Sequence, residues 1–423
     1  MELKKYKLGE IATVEISGVD KKSKENEIPV KLCNFTDVYH NWAITKEMEE
    51  SFMNATANQK EIECFSIKKG QVAFTKDSET RDDIGIPTYI ADDFENLLLG
   101  YHTALITPDN TKLSGKYLNA FMNTAYIKKY FENNASGSGQ RYTLSTNTLN
   151  DIPIIAPDLQ TQIKIGDLFS KIDSKIALNR RINTKLETIA KRLYDYWFVQ
   201  FDFPDANGNP YKSSGGKMVW NDALKREIPE GWEVKSIKEI ADTYSGGTPL
   251  STNSSYYENG TIPWINSGEV NEPIIVNTNN FITELGLQNS SAKFYPKNTI
   301  LVAMYGATAG KVSLLTFEAT SNQAICGVIS KQNEITYYLF LLLSSLCNHY
   351  IKISTGSARN NISQEIVKQT MFCVPNEKTL LKFNNVVTPT FNHIVNLSKE
   401  TSRLTALRDK LLPLLMNGQV EVA

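Results

Sequence analysis

From Ile165 onward the apolar positions step by four and three: Ile165, Phe169, Ile172 and Ile176, then the polar Asn179 and Asn183, then Leu186, Ala190, Leu193 and Trp197. Such a stripe covers one face of a helix and is long enough to pack along a partner helix. A second stripe runs Phe383, Val387, Thr390, Ile394, Leu397, Thr401, Leu404, Arg408, Leu411 and Leu415, and it is the natural partner of the first. The pattern predicts two long antiparallel helices forming a coiled-coil-like spacer. In it Ile165, Phe169, Ile172, Ile176, Leu186 and Leu193 pack with Val387, Ile394, Leu397, Leu404 and Leu411. Roughly 40 helical residues give each a length of about 60 Å. Asn179 and Asn183 are expected to face Thr401 and its neighbours, where polar groups fix register at some cost in stability. The alternative is that they face solvent beside an offset seam. Pro389 falls inside the second pattern and Pro413 near its end, so that helix is expected to begin late, kink or break there.

The helical patterns close a longer repeat. Residues 141 to 193 lie on residues 359 to 411 without a gap, at a constant offset of 218. Arg141 falls on Arg359, Ser145 on Ser363, Pro157 on Pro375, Lys164 on Lys382 and Leu193 on Leu411. A period this long is a duplicated domain, since solenoid units have about 20 to 50 residues. Upstream, Glu10-Ile11-Ala12 returns as Glu239-Ile240-Ala241, Ile28-Pro29 as Ile262-Pro263, and Tyr117-Leu118 as Tyr338-Leu339. The fold class is therefore α+β with pseudo-two-fold symmetry. The expected order is a globular mixed α/β domain at 1–157, a long helix at 158–199, a linker at 200–230, a second globular domain at 231–375 and a second long helix at 376–417. Pro204, Gly208, Pro210 and the Ser213-Ser214-Gly215-Gly216 run mark the linker as turns and irregular chain.

A chain of 423 residues has room for two or three cores. Its five cysteines, Cys33, Cys64, Cys326, Cys347 and Cys373, stand singly, as expected of reduced thiols in a cytoplasmic protein. No apolar segment of secretory type follows Met1, and the longest apolar stretch, Ile335 to Cys347, is too short to span a bilayer. A formal net charge of −1 gives no bulk attraction to nucleic acid, but its distribution is uneven. Residues 160 to 197 hold eight Lys and Arg (164, 171, 175, 180, 181, 185, 191, 192) against four acids (167, 173, 187, 195). Residues 378 to 412 hold six (378, 382, 399, 403, 408, 410) against two (400, 409). A solvated helix surface accounts for this excess as well as a functional one does.

Catalytic motifs are not found. In Tyr305-Gly306-Ala307-Thr308-Ala309-Gly310-Lys311-Val312, three residues separate the glycines and Val follows Lys. A phosphate-binding loop needs four, and Ser or Thr after the lysine, so a tight turn presenting Lys311 is the better reading. No methyl-donor signature with a Pro-Pro pair occurs. His40, His102, His349 and His393 are isolated and form neither a metal cluster nor a triad. Asp82-Asp83 and Asp92-Asp93 read as exposed loop acids. No catalytic residue, metal site or bound cofactor is expected.

One family fits the order of the remaining motifs. These are Tyr196-Trp197-Phe198-Val199-Gln200-Phe201-Asp202-Phe203-Pro204, Pro229-Glu230-Gly231-Trp232, Ser245-Gly246-Gly247-Thr248-Pro249, Gly260 to Gly268, Gly306 to Val312 and Ser321-Asn322-Gln323-Ala324. With the duplication, the whole chain resembles the specificity subunit of Type I restriction-modification systems. The first domain departs most, with Glu15-Ile16-Ser17-Gly18 where the second has Ser-Gly-Gly-Thr-Pro. The resemblance implies a non-catalytic reader of double-stranded DNA with two target recognition domains, one for each half of a bipartite, asymmetric site. It implies helices that set the gap, two docked methyltransferase subunits carrying S-adenosylmethionine, and motor-nuclease subunits using ATP. The competing readings are an autonomous DNA methyltransferase or nuclease, and a coiled-coil scaffold that never touches DNA.

Loops rich in Arg, Asn, Gln and Gly suit groove edges, because Arg grips guanine and Asn or Gln adenine. The equivalent loops around Gln140-Arg141 and Arg359-Asn360 are the first candidates, more for phosphate positioning than for base reading because the arginines are shared. The alternative is that each arginine caps a helix or pairs with an acid. Lys76 and Arg81 are added in the first domain, and Tyr305, Lys311 and Gln323 in the second, with packing as the alternative for Tyr305.

Overall fold

The computed structural model describes residues 2–138, 140–353 and 362–422. It forms two compact units, one of Met1–Ala177 with Arg403–Ala423 and one of Leu178–Ser402.

The first unit is built on a five-stranded sheet of β1 (Ala12–Ile16), β2 (Ala43–Ile44), β3 (Val72–Thr75), β4 (Pro87–Ile90) and β5 (Thr103–Pro108), in the order β1-β5-β3-β4-β2. All neighbours are antiparallel except β2, which runs parallel to β4. Strand β3 is buried at every position, so the sheet is covered on both faces. Successive side chains serve opposite cores. Val72, Phe74, Ala104 and Ile106 join Tyr117, Phe121 and Phe131, while Ala73, Ile90 and Leu105 join Val38, Phe52 and Leu99.

The second unit repeats this sheet with β6 (Ala241–Ser245), β7 (Ile274–Ile275), β8 (Ile300–Ala303), β9 (Val312–Leu315) and β10 (Ile325–Ser330), in the order β6-β10-β8-β9-β7. Strand senses also repeat. Individual bonds recur and give a position-by-position equivalence. Lys76 N donates to His102 O at 2.9 Å, as Met304 N does to Ala324 O at 2.8 Å. Leu144 N donates to Lys76 O at 3.0 Å, as Ile362 N does to Met304 O at 2.9 Å. The Tyr117 hydroxyl donates to Ile155 O at 2.6 Å and the Tyr338 hydroxyl to Cys373 O at 2.5 Å. Lys76, Asp77 and His102 thus occupy the places of Met304, Tyr305 and Ala324.

Helix α1 spans Leu159–Tyr194 and continues as one π turn through Val199; α2 spans Glu377–Met416. Their starts are capped at repeat-equivalent positions: Asp158 Oδ1 accepts from Thr161 N at 3.0 Å and Asn376 Oδ1 from Thr379 N at 2.9 Å. Gly418, at φ +69, follows the end of α2, where a left-handed residue lets the last carbonyls be satisfied. In the first unit the start of α1 (Ile165, Phe169) shares a core with the end of α2 (Leu412, Leu415, Met416). In the second unit Asn179 Nδ2 donates to Glu400 Oε2 at 2.8 Å, Asn183 Nδ2 to Ser398 Oγ at 3.0 Å, and the Trp197 and Phe383 rings lie 5.5 Å apart. The first number rises as the second falls, so the helices run antiparallel there.

Several expectations are corrected. Helix α2 is continuous from Glu377 through Pro389 and Pro413. Pro389 sits on the exposed face, where the carbonyl of Asn385, deprived of its intrahelical donor, can be hydrated, and buried Val387 and Phe391 hold the turn on either side. Asn179 is not solvated beside an offset seam, being 0% exposed. Along the seam Ile165, Phe169, Ile172, Ile176, Val387 and Ile394 are buried, whereas Leu186, Leu193, Leu397, Leu404 and Leu411 are half-buried. Leu186, Leu193 and Leu411 still pack against the cores, Ala190 and Leu415 of the expected stripe are fully buried, and Tyr194 and Leu412, outside it, are buried as well. A straight helix drifts about 20° per seven residues from a strict heptad, so inward positions slip. The linker is also more ordered than its composition suggests. It holds a hairpin of Met218–Asn221 and Arg226–Pro229, and Phe203 stacks between Tyr211 and Trp232 at 4.6 and 4.8 Å.

Candidate nucleic-acid interface

Antiparallel pairing brings the end of β3 and the starts of β4 and β5 to one end of the first sheet. There Asp77–Ser78 pairs antiparallel with Arg141–Thr143, which pairs in turn with Ser136–Ser138, so a small second sheet fixes the backbone that carries Asp77 and Arg141. At that end Asp77 is the centre of a charged cluster. Its Oδ1 accepts from Lys76 Nζ at 3.1 Å, and its Oδ2 lies 2.6 Å from His102 Nδ1 and 3.2 Å from Arg141 Nη2. The same Nη2 lies against the His102 ring, 3.0 Å from Nε2. His102 itself holds a left-handed backbone, φ +69, with its ring 3.9 Å from that of Tyr101.

Burial pushes the Asp77 carboxyl up, but hydrogen bonds from Thr143, His102 and Lys76, with the Lys76 charge, outweigh it and hold the group below the usual carboxylate range. The cluster borders a cavity of about 630 Å³ lined by Phe35, Tyr39, His40, Asp83, Gln140 and Arg141 among others. There the Tyr39 hydroxyl donates to Asp83 at 2.9 Å, and that bond, then burial, raises the phenol's pKa.

Three sequence candidates, Lys76, Gln140 and Arg141, therefore gather at one place, with different roles. The Lys76 side chain is 17% exposed and committed to Asp77 and to Thr143 Oγ1 at 2.9 Å. Gln140 is exposed on the cavity wall. Arg141 has the acid partner that the alternative reading foresaw, yet 56% of its side chain is exposed. Arg81 stacks on the neighbouring Tyr142 ring, 4.9 Å from its centroid.

In the second unit Tyr305, Lys311 and Gln323 flank β8, β9 and β10 at the equivalent sheet end. Tyr305 is 39% exposed at the entry of a turn in which Gly306 and Gly310 have φ +78 and +80, a conformation that favours glycine. Lys311 Nζ donates to Asn271 Oδ1 at 2.6 Å, and Gln323 Oε1 accepts from the Thr248 hydroxyl. Arg359 and Asn360 lie outside the described residues. Asp77 and Tyr39 were not singled out from the sequence, and two expectations are corrected: His102 is not isolated but contacts Asp77 and Arg141, and Asp83 is a half-buried acceptor rather than an exposed loop acid. Asp77 meets His102 and Arg141 from 25 and 64 positions away, and no local spacing signals such a meeting. Among the described residues, no group of three or more His, Cys, Asp or Glu could hold a metal ion, and no helix is long and apolar enough to cross a membrane.

Comparison with known proteins bears on both units. A family model described as Type I restriction modification DNA specificity domain matches residues 1–188 and 229–380. The chain is 28% identical over 310 residues to the Type I restriction enzyme MjaIX specificity subunit of Methanocaldococcus jannaschii, covering 73% of this chain and 69% of that one. It is 26% identical over 406 residues to the HindI specificity subunit of Haemophilus influenzae, covering 84% and 87%. The fold matches the crystal structure of a Type I restriction-modification S subunit from M. genitalium with a TM-score of 0.60, at 15% identity, over 98% of this chain and 96% of that chain. The duplicated sheet, the paired helices and the two matches together show that the chain belongs to the Type I restriction-modification DNA specificity family.

Proposed function

We propose that the chain is the non-catalytic, cytoplasmic specificity subunit of a Type I restriction-modification complex. Each domain reads one half of a bipartite, asymmetric site in double-stranded DNA. The single observation that carries this reading is the family match falling once on each repeat. Base-reading residue types at the same sheet end of both domains support it. Helices α1 and α2 set the gap between the half-sites, since readers on one face of a duplex need a separation related to its turn of about 34 Å. S-adenosylmethionine belongs to two methyltransferase subunits docked on the helices, and ATP to motor-nuclease subunits. The pair of repeat-equivalent exposed apolar residues Ile163 and Leu381, and the pair Ile189 and Leu407, support a partner that docks twice. Partner cations then supply phosphate contacts that a chain of net charge −1 lacks.

The test is to co-express the chain with its methyltransferase partner and map methylated bases across a genome. A two-part motif that disappears when the chain is omitted is the expected result. Methyl transfer by the purified chain alone would contradict the adaptor role, and unaltered duplex mobility in the presence of the partner would favour a scaffold.

A further inference from the structure

We propose that Arg141 is a specificity-determining residue of the first domain, clamped by Asp77 and His102 so that its guanidinium reads a guanine edge in one half-site. The proposal rests on the DNA-recognition reading above and narrows it to one residue and one base.

The clamp has a buried anchor and an outward reader: the Asp77 side chain is 9% exposed and that of Arg141 56%. Among the described residues, the contacts of Arg141 fall on Nη2 alone, leaving the Nη1 donors for a group outside the chain. Guanine offers acceptors at O6 and N7, and the Nη1 amino group, held in the plane of the clamped guanidinium, donates to that edge. Fixing that plane beforehand lowers the ordering cost of the contact.

A phosphate contact is the other use for such a cation, and the surroundings oppose it. Asp77, Glu79 and Asp83 all line the cavity beside Arg141, and three carboxylates repel a phosphate while suiting base amino groups. In sequence the second copy repeats the arginine of the clamp but not its two partners. Arg141 aligns with Arg359, but Tyr305 and Ala324 stand where the first domain has Asp77 and His102. Two domains that share an arginine yet read different half-sites would differ at what holds it.

The experiment uses the full chain co-expressed with its methyltransferase partner, mapping the methylated motif for the wild type, Arg141→Lys, Arg141→Gln, Asp77→Asn and His102→Gln. Circular dichroism and thermal unfolding check that each variant folds. The wild type is expected to require guanine at one position of one half-site. Arg141→Lys keeps the charge and loses the planar group that Asp77 and His102 clamp, so preference for that guanine should fall about tenfold, with the other half-site unchanged. Asp77→Asn and His102→Gln should loosen the same position, which a merely structural role would not do. An unchanged motif in both Arg141 variants, or methylation reduced evenly at all sites with the motif intact, overturns the proposal. A wild-type chain that confers no motif overturns the DNA-recognition reading, and this proposal with it.

Discussion

Glu187, on α1, has its carboxyl pushed up to about 7 by burial, with the Glu272 charge adding to it. The folded chain therefore keeps a proton that the unfolded chain releases near pH 4.3, so this group removes stability progressively as pH rises from about 4.3 to about 7, with no further loss above. Glu187→Gln is expected to raise the melting temperature at pH 8 and to leave it nearly unchanged at pH 4; an equal shift at both values would show that the group does not titrate in this way. Asp77 has the opposite sign. Its folded pKa is depressed, so its stabilisation is present above the unfolded value of about 3.9 and is lost as pH falls through the folded one. In the first core Phe169 is fully buried, 6.5 Å from Trp42. Phe169→Ala should cost about 3 to 5 kcal/mol in denaturant unfolding. At this scale the sequence was partly legible. Arg141 stood out because it recurs at Arg359, whereas Asp77 and His102 carry no periodicity and acquire a role only when three distant segments converge.

Helix α2 passes through Pro389 on its exposed face, so the position carries a missing donor without a packing benefit. Pro389→Ala restores that donor to Asn385 O and should stabilise by about 1 to 3 kcal/mol, read as a raised urea midpoint. A loss of stability would mean that the proline sets a bend the helix pair requires. The existence and direction of both helices were legible because apolar steps of four and three persist over many turns. The choice between Leu411 and Leu412 as the inward residue was not, since it depends on accumulated helical drift and on the partner surface. Asn179 shows the same division. Its interruption of the stripe was visible, but its bond to Glu400 needs the partner's register.

Two copies of one sheet, matched bond for bond, make the domain organisation the part most directly readable from sequence: a duplication leaves a constant offset, while the bases a domain reads leave none. If the helices act as a ruler, inserting one turn, about four residues and 5.4 Å, into both should lengthen the unspecified gap by one or two base pairs, at about 3.4 Å each, with both half-sites retained. Methylome mapping of such a variant decides it, and altered half-sites would refute the ruler. The first unit takes its core from both Met1–Ala177 and Arg403–Ala423, with Leu412, Leu415 and Met416 packed beside Phe169. During translation, then, the earlier of the two domains is completed after the later one. Its nascent form waits with an open apolar flank until residues 403–423 emerge, and it should be cleaved by protease before that point and resistant after it.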